Sequence, residues 1–352
     1  MKKIGGFDLL KIISATLIVF HHYQQVFQAN FEYINFFAGK IYFGYLVELF
    51  FIISGFLTSF TPPPEMWSNW WRKKLLRIYP MITLACLFAL MVNSVKVDNL
   101  MAVDIFGDFY SPKTVSALDA LWNIKTLVAN FLLLFSGWPY FSMIGINNPT
   151  WYCCVLIQCY IAYFILMKLA EFFTHDTEKI RLYLFIAVII CMYPFYRFNL
   201  VEGSTFRGVK VFFIGCCLCE IYNRVVIKRS MILFLSLLSS LSLIAALIIP
   251  SQQLRIFLFG MFPSLVLLST QIHCWSWIHE FARVSFEVFI WHSPLMAFEK
   301  MIIRIFELPH FERTYASMII FTIGVWLFSW IMYKFVEKPI NRFLCQKQKA
   351  GE

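Results

Sequence analysis

The sequence predicts an all-α integral membrane protein, a polytopic helical bundle of about ten transmembrane helices with both termini in the cytoplasm. Three observations lead there. The chain has 352 residues, of which 60% are hydrophobic and 14% charged, where a soluble domain carries roughly 45–50% apolar and about 25% charged residues. Repeated stretches reach the ~20 mostly apolar residues that cross a bilayer, and lipid offers backbone amides no partner, so each must close its own hydrogen bonds as a helix. The basic residues also sort by side. With the amino terminus inside, one face collects Lys2 and Lys3, then Arg72, Lys73, Lys74 and Arg77, then Lys168, Lys179 and Arg181. It also collects Arg224, Lys228 and Arg229, then Arg283, and finally Lys334, Lys338, Arg342, Lys347 and Lys349. That is the positive-inside bias. It accounts for the net charge of +10 without any nucleic-acid partner.

The spans fall near 8–28, 43–60, 78–95, 151–170, 182–198, 206–222, 231–249, 254–271, 284–303 and 315–335. The first exceeds the ~7–15-residue apolar core of a signal peptide and lacks a small-residue cleavage site, so it is expected to be retained. The basic cluster in "WWRKKLLRIYP", Arg72, Lys73, Lys74 and Arg77, stands at the cytoplasmic mouth of the third. Between the third and fourth, the apolar piece 126–136 is too short to span and reads as interfacial or re-entrant. It is flanked by the loops 96–125 and 137–150, the second of which, "GWPYFSMIGINNPT", breaks any helix with its Gly, Pro and Asn. Both loops fall on the outer side, as a roof over the bundle or a plain connector. In the ninth span, "VSFEVFIWHSPLM", Pro294 is expected to break the helix just after His292. The whole reads as one membrane unit, 1–345, with a short cytoplasmic tail, 346–352. The ten cysteines show no paired ligand spacing and mostly sit in apolar spans, where Cys behaves as a small hydrophobe, so no metal site is expected.

Charge inside the spans is where function is sought, because an ionisable group at bilayer depth costs on the order of 2.5–3.5 kcal/mol on insertion scales. The first span, "DLLKIISATLIVFHHYQQ", holds Asp8, Lys11, His21 and His22. On a helix Lys11 and His22 share a face, roughly 16 Å apart along the axis, while His21 points about 80° away. Asp8, three residues before Lys11, is placed to pair with it. His292 is the second intramembrane imidazole; His175, His273, His279 and His310 fall in expected loops and receive no role. Arg72, Lys73, Lys74 and Arg77 read either as topology determinants that meet anionic lipid or as a grip on a phosphorylated ligand, with Arg77 the one expected to point inward. Ser54 reads as a packing or hydrogen-bonding residue beside Gly55.

Six motifs in order across nearly the whole chain resemble the membrane acyltransferase-3 family. "FDLLK" with the later His22 is similar to that family's first span, with Lys11 at a position where Arg is commoner. "VELFFIISGFL" resembles its second, placing Glu48, Phe50, Phe51, Ser54 and Gly55. "RKKLLRIYP" resembles its basic approach to the third, matched by Lys74, Arg77 and Pro80. "TWYCCVLIQCY" resembles its Trp-led span, "SFEVFIWHSPL" its late His-x-Pro segment, and "FVEKPI" its closing Glu-x-Pro motif. Two departures stand out. Lys11 keeps the charge of Arg but loses the planar fork, and Leu156 and Ile157 stand where many relatives carry carboxylates.

The resemblance implies a multi-pass enzyme of the bacterial inner membrane. It would move an acyl group, most often acetyl, from cytoplasmic acetyl-CoA to a hydroxyl of an extracytoplasmic or lipid-linked polysaccharide, with no permanently bound cofactor. His22, ordinarily near pKa 6.5, suits a general base; whether it also accepts the acyl group is open. Lys11, Lys74 and Arg77 would hold the donor's phosphates, with Asp8, Glu48, Ser54, Trp151, His292 and Glu337 in support. A flippase of a lipid-linked sugar is the main rival, and a non-catalytic scaffold the third reading. The paired, broken helices of a transporter are not seen.

Overall fold

The computed structural model of the protein describes residues 4–27, 41–61, 67–94, 122–138, 145–173, 177–306, 308 and 314–340. The long loop centred on 98–119, part of 137–150, the tail 346–352 and Lys2, Lys3, Arg342, Lys347 and Lys349 lie outside those residues. Among the described residues every regular element is helical. In order they are α1 (Gly5–Val26), α2 (Leu46–Phe60), α3 (Trp67–Ser94), α4 (Ile124–Phe131), α5 (Trp151–Phe173) and α6 (Thr177–Arg197). Next come α7 (Gly203–Arg224), α8 (Arg229–Ile248) and α9, built from Gln253–Ile256, a π turn Phe257–Met261 and Phe262–Ser269. The last are α10 (Ser276–Ala282), α11 (Ser285–Ile305) and α12 (Tyr315–Met332), which runs on through a π turn, Tyr333–Glu337.

Each predicted span lies on one of these helices. Seven are long and apolar enough to cross a membrane, against the ten expected. The other three are α1, α7 and α11. They are long, but they hold the polar side chains described below, including His22, Arg207, Glu287 and His292.

Long helices alternate in direction. Lys74 at the start of α3 meets Thr58 at the end of α2, Arg181 at the start of α6 meets Glu220 at the end of α7, and Arg283 before α11 meets Tyr333 after α12. One end of the bundle is therefore marked by Lys11, and the other by His22. At the centre α2 and α7 form the most extensive helix pair. Their backbones cross so closely that a Cβ on Gly55 would overlap the Phe212 carbonyl, and one on Gly215 would overlap that of Ile52. Small residues permit this approach, which in lipid stands in for a hydrophobic driving force. Burial follows position: 67% of the α2 window is buried but only 17% of the α8 window. The outer helices turn Leu233, Leu237, Ile320 and Ile323 outward, as lipid-facing helices do.

Helix α3 starts at Trp67, ahead of the span expected at 78–95, so the basic cluster at its mouth is helical, with Arg72, Lys73 and Arg77 exposed. One expectation is corrected: Pro294 does not break α11. Proline cannot donate to the carbonyl four residues back, that of Ile290, and the buried Asn147 side chain donates to it instead at 3.0 Å. The helix continues because the lost bond is replaced. The 126–136 piece is a short helix, α4, capped by Asn123, whose side chain accepts from Lys125 N.

Candidate active site

Two cavities lie back to back in the bundle and share one wall residue, Phe289. The first opens at the Lys11 end, where α1, α2, α3, α5 and α11 converge, and has a volume of about 150 Å³. Its cations are Lys11, Lys74 and Arg77, the three that the sequence marked for a phosphate grip. Lys11 is steadied by Asp8 at 3.1 Å. The other oxygen of Asp8 lies 2.5 Å from Nδ1 of His279 in α10. Lys74 sits 4.5 Å above the Tyr160 ring and 5.3 Å above Trp70, held there by the ring quadrupoles. Leu156 adds apolar wall where the commoner motif has an acid.

The second cavity, about 240 Å³, is lined by His22, His292, Trp151 and Arg207. His22 Nδ1 and His292 Nε2 are 2.7 Å apart and the two rings are nearly parallel, with an interplanar angle of 14°. His292 is fully buried, so its ring is fixed by packing while His22 faces the cavity. His21 turns away, as the helix geometry predicts, and packs edge-on against Tyr42 at 4.4 Å.

A small aromatic septum separates the cavities. Phe289 lies 5.5 Å from Tyr152 and 5.9 Å from Phe50, measured between ring centroids. Tyr152 is tied to Ser54 through a 2.9 Å hydrogen bond between their hydroxyls, which places Ser54 in the septum's support. Glu48 reaches neither cavity. Its Oε1 accepts from Arg207 Nε at 2.9 Å and Nη2 at 2.6 Å, and Arg207 in turn lies 5.4 Å over the Trp151 ring.

A family profile described as an acyltransferase domain, acyltransferase-3, matches residues 4–334. The chain belongs to the acyltransferase-3 family. No curated protein and no solved structure matches it closely enough to add to that. As a membrane acyltransferase-3 protein, it gathers the motif residues unevenly. Lys11, Ser54, Lys74 and Arg77 line the first cavity, and His22, Trp151 and His292 the second. Asp8 and Glu48 hold cavity cations. Glu337 is the exception: buried in the final π turn beside Glu287, it lines neither.

Sequence reasoning missed four members of the site. His279 was set aside as a loop residue; it lies in α10, and its partner Asp8 is too remote in sequence to be inferred from spacing. Tyr152 and Phe289 are two aromatics among many. Arg207 was legible, because it falls inside an expected span, where a charge calls for a partner.

Proposed function

We propose that this acyltransferase carries an acyl group, acetyl in the first instance, from CoA at the Lys11 end to a sugar hydroxyl at the His22 end. The observation that carries the reading is the shared wall: a basic cavity and a paired-histidine cavity meet at Phe289. The positive-inside bias favours the cytoplasm for the Lys11 end, where acyl-CoA is found. A 150 Å³ space suits the slender pantetheine arm rather than the nucleotide, since pockets that enclose whole ligands run to about 300–1,000 Å³. Lys11, Lys74 and Arg77 then meet the phosphates at its mouth, and the arm passes Phe289 to bring the thioester beside His22.

The chemistry assigns the tautomers. To act as base at Nε2, His22 must carry its proton on Nδ1 and donate it to His292 Nε2. His292 then holds its own proton on Nδ1, a buried atom with no hydrogen-bond partner among the described residues. His22 Nε2 takes the proton from the acceptor hydroxyl as its oxygen bonds to the thioester carbonyl carbon. The C–S bond then breaks, and the imidazolium returns that proton to the CoA thiolate. A transient acyl-imidazole on Nε2 uses the same geometry, and rapid quenching without acceptor distinguishes the two.

The test uses sealed membrane vesicles with the cytoplasmic face outward and labelled acetyl-CoA outside. Alkali-labile label on glycan inside the vesicles is the expected result. Sugar translocation with no ester formed would instead support the flippase.

A further inference from the structure

Arg207, in the wall of the second cavity, belongs to a charge arrangement that base chemistry does not use. Arg207 and Lys210 lie one turn apart on α7, and Lys210 is within electrostatic reach of both Glu48 and Arg255. On the orientation proposed above this is the extracytoplasmic side, where the topology bias disfavours basic residues. Three cations there call for a counter-ion. The described carboxylates at this end of α2 and α7 are already committed, Glu48 to Arg207 and Glu202 Oε2 to the Gly137 amide at 2.7 Å.

The geometry of Arg207 sharpens the point. A guanidinium has two edges that each suit a carboxylate, one formed by Nε with an Nη and one by the two Nη groups. Glu48 uses the first with a single oxygen, through Nε and Nη2. Among the described residues Nη1 has no hydrogen-bond partner, the side chain is 40% exposed, and it lines the cavity that His22 lines. The open edge is thus presented to whatever occupies that cavity. Glu48 below and Trp151 alongside fix the plane of the fork.

We infer that Arg207 is the acceptor-recognition residue and that the acceptor is an acidic glycan, whose sugar carboxylate docks on the Nη1/Nη2 edge of Arg207 while a hydroxyl of the same unit is presented to His22. Lys210 and Arg255 supply the surrounding positive field that draws a polyanion to the mouth. This rests on the acyltransfer reading and names its substrate class.

The experiment uses membranes carrying the full chain, labelled acetyl-CoA and the host's own extracytoplasmic glycan, either native or with its carboxyl groups chemically reduced to alcohols. The expected result is that reduction lowers kcat/KM about 10- to 100-fold, the loss of one charge-assisted bidentate contact, chiefly through KM for the glycan. Arg207→Gln should lower transfer to the native glycan by a similar factor and be insensitive to reduction. Arg207→Lys, which keeps the charge and leaves Glu48 a partner, should recover part of it. The wild-type comparison needs no variant, so misfolding of Arg207→Gln does not blunt the test. Equal transfer to native and reduced glycan, or a labelled repeat unit with no carboxylate, overturns the inference and leaves the acyltransfer reading standing. No ester on either glycan overturns that reading itself.

Discussion

Replacing His292 by Ala removes the partner of His22 and leaves His22 in place. The two nitrogens stand 2.7 Å apart, and such a hydrogen bond contributes about 0.5–1.5 kcal/mol net. At about 1.36 kcal/mol per decade, losing it from the transition state slows turnover about 2- to 13-fold. Freedom lost from His22 adds to this, because without an acceptor at Nδ1 the ring samples the tautomer whose Nε2 is protonated and cannot act as base. The expected total is a loss of about 5- to 50-fold in kcat. His22→Ala, by contrast, removes the base and should cost about 10²- to 10⁴-fold. The donor KM should move little, since the cations that grip the donor's phosphates line the first cavity and His292 does not. The assay is initial-rate acyl transfer in membranes with matched, protease-checked insertion. His292→Gln, whose amide oxygen accepts from Nδ1, should recover part of the rate. Unchanged turnover in His292→Ala would refute the pairing argument, and a loss as deep as that of His22→Ala would give the base role to His292 instead.

Other substitutions follow the same geometry. Phe289→Trp, which adds bulk to the septum, should abolish transfer while donor binding persists, whereas Phe289→Ala should open the septum to water and raise acetyl-CoA hydrolysis over transfer; product analysis of both reads this. Asp8→Asn frees Lys11 and His279 from their shared carboxylate and should raise the donor KM about 10-fold with kcat little changed, measured by varying acetyl-CoA. Gly55→Ala forces a methyl into the Phe212 carbonyl and should cost about 1–3 kcal/mol in packing, seen as an earlier thermal midpoint in detergent.

What the sequence disclosed depended on whether a local pattern or a distant partner carried the information. Apolar runs located the long helices, seven of which are apolar enough to cross a membrane, because lipid leaves a chain few alternatives. Proline misled once. A rule about the local bond ends the helix at Pro294, yet Asn147, a residue from another segment, satisfies Ile290. Helical phase put Lys11 and His22 on one face and turned His21 aside, and both hold. What no periodicity conveys is pairing between helices. Asp8 with His279, Glu48 with Arg207 and His22 with His292 each join distant segments, and the septum that divides the cavities is assembled from α2, α5 and α11.

The central claim is that one imidazole at the His22 end drives the transfer to the acceptor of an acyl group delivered from the Lys11 end. Its most direct test is a single measurement in vesicles reconstituted with purified protein, comparing wild type with His22→Ala. Labelled acetyl-CoA is held on the Lys11 side and acceptor glycan on the other. The account predicts ester on the glycan for wild type and about 10²-fold less or lower for the variant, with equal binding of the donor. Ester formed at equal rates by the two proteins would contradict it.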